Sequence, residues 1–185
     1  MQYINIDVKK VKNIKIDLKS LIYSKLKQKY NFVWRSEIYD DRNNKQGGNK
    51  LRTYRLFKDN ISLEKYLLIL NEDERRVLTK FRVSAHNLDI EKGRYIGVKT
   101  EDRICELCNT GVEDETHFLL QCPVLENKRT QIINNIKNVN TNFNNLPNKS
   151  KLIWLMSSED NFIIKNTSSL LCSLFKERDL VLKGN

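Results

Sequence analysis

Cys105, Cys108, His117 and Cys122 stand in the spacing C-x2-C-x8-H-x4-C. Two cysteines separated by two residues can set both sulfurs on one ion through a tight turn. A following His and Cys then complete a tetrahedral shell, and zinc is the metal that this donor set suits. Four protein ligands leave no open coordination position, so a structural Zn2+ is expected and catalysis is not; no residue is assigned a catalytic role, and the chain is read as a non-enzyme. Three of the four cysteines and one of the two histidines fall inside these eighteen residues, which weighs against an accidental cluster of reduced thiols in a small core. On an ideal helix an i to i+5 pair is about 140° apart, so the helix that carries His117 is expected to stop before Cys122. Pro123, the next residue, agrees with that.

The residues between the ligands fit the same reading. Asn109-Thr110-Gly111 can turn the chain after the cysteine pair, and Glu113, Asp114 and Glu115 fall at the start of a helix, where acids suit the macrodipole. Phe118 and Leu119 can cover the ion. Cys172 lies on an apolar helical stretch and reads as a buried core thiol. His86, in RVSAHNL, reads as a capping or packing residue, with a minor claim as an alternate ligand.

The elements that must position these groups are mostly helical, because the chain is 30% charged and has only 2 Pro and 6 Gly in 185 residues. Leu18, Leu21, Ile22, Leu26, Tyr30, Val33, Trp34 and Ile38 recur at helical spacing and predict an amphipathic helix over 18–39. The polar run DDRNNKQGGNK, with Gly47-Gly48, predicts a joint after it. LRTYRLFK reads as short extended or irregular chain. SLEKYLLIL and NEDERRVLTKFRVSAH then read as two helices, N-capped by Ser62 and by Asn71 with Glu74 in capping-box position. Val77, Leu78, Phe81 and Ala85 form the apolar face of the second. IEKGRYIGVK is expected to be a loop. Pro123 opens a further helix, PVLENKRTQIINNIKNV, and NVNTNFNNLPNKS reads as a solvated linker. KLIWLMS and 161–182 are the last helices, the latter with Ile163, Ile164, Leu171, Leu174, Phe175 and Leu180 as core candidates. The expected fold is thus mostly α: a small helical domain organised around one CCHC zinc knuckle, with an N-terminal amphipathic helix and C-terminal helices. The divisions are 1–49, a basic segment with helix and linker; 50–138, the zinc-binding module; and 139–185, linker and C-terminal helices.

The formal net charge is +10. The first fifty residues hold twelve Lys and Arg against five acids, whereas 105–122 hold four acids and no Lys or Arg. Such a balance points to a polyanionic partner, RNA or DNA, rather than to a small-molecule substrate. Three thiolates on one Zn2+ leave the knuckle itself near −1, so phosphate contacts are expected on the basic flanks: Arg52, Arg55, Lys58, Arg75, Arg76, Lys80, Arg82, Lys92, Arg94, Arg103, Lys128 and Arg129. Tyr54, Phe57, Phe81 and Tyr95 are interleaved with them as candidate stacking rings or core residues. No apolar run is long enough for a membrane span, and no signal-peptide block opens the chain, so an intracellular protein, nuclear or cytoplasmic, is expected.

Read in order, LRTYRLFK, LEKYL, RVLTKFRVSAHNLDIEKGRY and RICELC…VEDETHFLLQCPVLENKR resemble the region that follows the polymerase in non-LTR (LINE-type) retrotransposon reverse transcriptases. The likeness covers about 33–130 and extends more loosely to FKERDLVL near the end. It implies that Cys105, Cys108, His117 and Cys122 are that family's CCHC zinc ligands, and that the module assists in handling template RNA or target DNA. The family's polymerase and endonuclease are not in these residues: there is no paired-aspartate F/Y-x-D-D segment, and Asp40-Asp41 lies in a polar linker. The expectation is a detached, non-catalytic, zinc-stabilised nucleic-acid-binding accessory module derived from such an enzyme. The alternatives are a zinc-pinned protein-interaction adaptor and a relic of an element without a selected role. Oligomeric state is left open.

Overall fold

The computed structural model of the chain describes residues 17–40 and 49–184. The Gly47-Gly48 joint and the basic stretch before Asp17 lie outside the described residues. The fold is mostly helical. The helices are α1 (Leu18–Ile38), α2 (Tyr66–Ile69), α3 (Glu72–Arg82), α4 (Asp89–Tyr95), α5 (Glu126–Val139), α6 (Asn148–Ser157) and α7 (Asn161–Gly184). Among the described residues extended pairing is limited to one antiparallel bridge, Ile104 with Val112.

α7 is the spine. Its buried face, Ile163, Ile164, Thr167, Ser168, Leu170, Leu171, Leu174 and Arg178, packs against α3, α5, α6 and α2. Residues 50–138 and 139–185 therefore share one core. Phe81, Phe118 and Phe175 meet at its centre, with the last two rings 4.6 Å apart. Leu180, expected in this core, is 67% exposed, because it follows the buried Arg178 by two residues, about 200° around the helix, and so falls on the solvent face. The position that packs inward instead is Arg178.

α3 forms as its sequence dictates. Asn71 Oδ1 accepts from the Glu74 amide at 2.9 Å, acids fill the first turn, and Lys80 and Arg82 lie in the last. The helix ends where Ser84 takes a left-handed φ of 50° and the Ala85 amide donates to the Lys80 carbonyl at 2.7 Å. A serine holds this position rather than the usual glycine, and its Oγ donates to Glu115 at 2.9 Å. Ala85 is exposed as a result.

Three local expectations are corrected, and a fourth is narrowed. Ser62 caps no helix: its hydroxyl accepts from Lys58 Nζ at 2.7 Å, and α2 begins only at Tyr66. LRTYRLFK takes the irregular of its two expected forms, turns and a 3-10 turn, Tyr54–Leu56. The supposed loop 90–99 contains α4, anchored by the buried Leu88 and Ile90. Gly93 is required there, since a Cβ would sit 2.6 Å from Arg103 Cγ. The Asn-rich linker folds into a 3-10 turn, Thr141–Asn145, because Phe143 buries its ring against Trp154 at 5.3 Å.

α1 matches its expected span, yet its apolar residues do not enter the core. Among the described residues only its C-terminal end is docked. Ile38 is buried, Trp34 meets Tyr54 edge-on at 6.3 Å, and Asn31 Oδ1 accepts from the Ile61 amide at 3.0 Å. Leu18, Ile22, Leu26, Tyr30 and Val33 are exposed.

Candidate metal centre

The cysteine pair sits in a knuckle. The Cys105 amide donates to the Gly111 carbonyl at 2.8 Å and the Asn109 amide to the Cys105 carbonyl at 2.9 Å. Asn109 makes the reversal with a φ of 54°, a conformation that asparagine tolerates. The chain then enters the segment bearing His117, whose amide is capped by Asp114 Oδ1 at 2.7 Å.

An ideal helix would point His117 and Cys122 apart, and the structure resolves this by widening the helix rather than only stopping it. Residues His117–Gln121 form a π-helical turn, closed by the Cys122 amide donating to the His117 carbonyl at 2.8 Å. An i to i+5 hydrogen bond stacks residue 122 over residue 117, so both side chains reach the knuckle. The chain leaves through Pro123 in a 3-10 turn, Pro123–Leu125, before α5 begins.

The four ligand atoms of Cys105, Cys108, His117 and Cys122 lie within 4.8 Å of one another, with Cys108 Sγ 3.3 Å from His117 Nε2. A tetrahedral zinc with its usual bond lengths separates its ligand atoms by about 3.3–3.8 Å, so the cluster has the dimensions to hold a metal ion. All four cysteines are free thiols. Burial raises the thiols of Cys105 and Cys122 and lowers the His117 imidazole. Burial would also raise Cys108, but its hydrogen bonds, led by that from Thr110, bring it below the ordinary thiol value. Neutral imidazole and a readily ionised thiol are the forms that bind metal. Phe118 and Leu119 are fully buried, with Phe118 turned into the aromatic core. Cys172 is half-buried on α7, and His86 is not a ligand: its Nε2 lies 3.1 Å from Glu115.

Two acids of the island around the knuckle, Glu113 and Glu115, are turned inward. Arg178 donates from Nε and Nη2 to the two carboxylate oxygens of Glu113 at 2.7 and 2.8 Å, both residues being at most 1% exposed. Glu115 accepts from Arg52 Nη2 at 2.9 Å and from Ser84. Burial alone would raise Glu115, yet its partners His86 and Arg52 hold it down at about 2. Sequence reasoning missed Arg178. Its signal was its spacing from Leu171 and Leu174, which puts it on the apolar face of α7.

The twelve basic residues assigned to phosphate contact divide by burial. Lys58, Arg82, Arg103 and Arg129 are buried and hold the fold. Lys58 pairs with Glu64 at 3.0 Å, and Arg82 pairs with Glu64 and the Met156 carbonyl between the rings of Phe57 and Tyr66. Arg103 donates to the carbonyls of Val98 and Ile90, and Arg129 to those of Leu119 and Cys122. Arg52 is paired with Glu91 and Glu115, and Arg94 with Glu91. Arg75 donates to the Leu67 carbonyl, and Arg55 lies over Tyr39. Exposed are Arg76, beside Glu72; Lys80; Lys92, beside Asp89 and Glu106; and Lys128, 3.4 Å from Glu177. Phe81 is buried, Tyr54 and Phe57 are half-buried with their rings edge-on to each other, and Tyr95 is exposed beneath Arg94. Lys19, Lys25, Lys27, Lys29 and Arg35 on α1 add five exposed cations that the flanks had not included.

Comparisons with protein-family models, with curated proteins and with solved structures each found no match for this chain. No described helix is long and apolar enough to cross a membrane.

Proposed function

We propose that the chain is a zinc-stabilised nucleic-acid-binding accessory module, itself non-catalytic, and that its ancestry lies in non-LTR retrotransposon reverse transcriptases. The ancestry rests on the ordered sequence blocks. One observation carries the binding reading: Glu113 and Glu115 are neutralised internally by Arg178 and Arg52, so the excess of positive charge lies on the exposed lysines and arginines. A polyanion approaching Lys80 or the α1 lysines meets exposed cations, and Lys128 adds a further one beside Glu177. Cys105, Cys108, His117 and Cys122 would hold zinc, which when bound supplies folding energy and no reactive position. RNA or DNA is the partner, inside the cell.

The test is fluorescence anisotropy of the zinc-loaded chain with single-stranded RNA and with duplex DNA at three salt concentrations. Submicromolar binding that falls linearly on a log-log salt plot is the expected result. Absence of binding at the lowest salt rejects the reading. An adaptor function has its own support in the exposed apolar residues of α1.

A further inference from the structure

Among the described residues α1 carries an unpartnered stripe, and its register is self-complementary. Lys19, Tyr23, Leu26, Tyr30, Val33 and Glu37 follow one another at intervals of four, three, four, three and four residues, the a/d spacing of a coiled-coil seam. The four central residues are between 41% and 68% exposed, although they are apolar or aromatic. The two ends of the stripe are exposed charges of opposite sign.

We propose that α1 is a homodimerisation helix that pairs with the α1 of a second copy of this chain in antiparallel orientation, about a two-fold axis at Gln28. In that register Leu26 of one copy meets Tyr30 of the other, Tyr23 meets Val33, and Lys19 meets Glu37. Each layer joins an a position to a d position, as antiparallel packing requires. A parallel pair would instead oppose Lys19 to Lys19 and Glu37 to Glu37. It would also bring the two folded bodies side by side, since each body is docked at the C-terminal end of α1 through Trp34, Asn31 and Ile38. The antiparallel pair sets the bodies at opposite ends.

The lysines decide how the pair responds to salt. Lys27 and Lys29 flank the seam near the axis and face their own copies, which opposes association at low ionic strength. Screening weakens the two Lys19–Glu37 pairs but relieves both the lysine repulsion and that between two chains of net charge +10, so the dimer tightens as salt rises. Phosphate binding has the opposite dependence, which separates this inference from nucleic-acid binding.

The test is sedimentation equilibrium of the nuclease-treated full chain at up to roughly 100 µM, a range suited to micromolar pairing. The expected result is a species at twice 21.9 kDa. Its dissociation constant should fall severalfold between about 0.05 and about 0.5 M salt. Lys19→Glu or Glu37→Lys alone should weaken it about tenfold, since each change sets two like-charge pairs in the dimer, and the double exchange should restore it. Leu26→Asp should leave a monomer with unchanged circular dichroism. A wild-type chain that stays monomeric, a single charge reversal without effect, or a double exchange that fails to restore would each overturn the proposal.

Discussion

Arg129 holds Cys122 by its backbone: guanidinium Nη2 donates to the Cys122 carbonyl at 2.8 Å while Nε donates to that of Leu119 at 2.9 Å. These two carbonyls lie at the end of the π-helical turn, that of Cys122 also accepting from the Leu125 amide at 3.3 Å, so a residue from the first turn of α5 braces the geometry that brings Cys122 to the knuckle. An arginine assigned from the sequence to phosphate is in the structure a support of the Cys/His cluster.

Arg129→Ala should therefore weaken zinc affinity by about 10–100-fold with all four ligands intact, the usual range for loss of an outer-shell support. Competition against a chromophoric chelator measures this. Unchanged affinity would contradict the role.

Cys108→Ser removes a ligand that is itself only half-buried, so little packing is lost with the sulfur. If metal binding is folding energy here, zinc content should drop from one per chain and the melting temperature should fall by about 10 °C or more. Full zinc retention with unchanged melting would exclude the cluster as a metal site. Chelation of the wild-type chain should reproduce the same fall.

The Glu113–Arg178 pair is buried on both sides, and removing one partner leaves an uncompensated charge. Arg178→Met should cost about 3–5 kcal/mol in denaturant unfolding, and Glu113→Gln together with Arg178→Met should recover part of that loss. Equal losses in single and double variants would show that the two residues are not coupled.

Burial divides the basic residues into two measurable groups. Alanine at Arg76, Lys80 and Lys128 should leave melting unchanged and reduce the magnitude of the salt slope by about 0.9 for each duplex DNA phosphate that is no longer neutralised. Alanine at Arg82 or Arg103 should lower melting instead, because each leaves buried acceptors without a donor. A fold that tolerates Arg103→Ala fully would refute this division.

Phe143→Ala should cost about 3–4 kcal/mol, since the ring is 1% exposed and packs directly on Trp154. A solvated linker would lose almost nothing. Urea unfolding distinguishes the two.

Local rules made much of this molecule legible. The Asn71 cap, the span of α1, Pro123 at the head of the α5 approach and the companionship of Cys105, Cys108, His117 and Cys122 follow from propensity, capping chemistry and ligand spacing, which act over a few residues. The helical angle between His117 and Cys122 also showed that an ordinary helix would fail there, although the π-helical turn that solves the problem was not legible. A single extra residue per hydrogen-bonded ring is a choice made by the groups around it, Arg129 among them.

The sequence by itself determined a mostly helical, basic chain with one four-ligand Cys/His cluster. Tertiary structure alone decided which charges are surface and which are core. Arg52 lies 63 residues from Glu115, and Arg178 lies 65 residues from Glu113, and no local pattern pairs groups so far apart. Burial supplies the reason: a carboxylate withdrawn from water must find a cation, and only the packing of α7 and of the 49–58 segment against the knuckle determines which one arrives. The same packing left the seam of α1 uncovered, although its apolar spacing reads like that of a core helix.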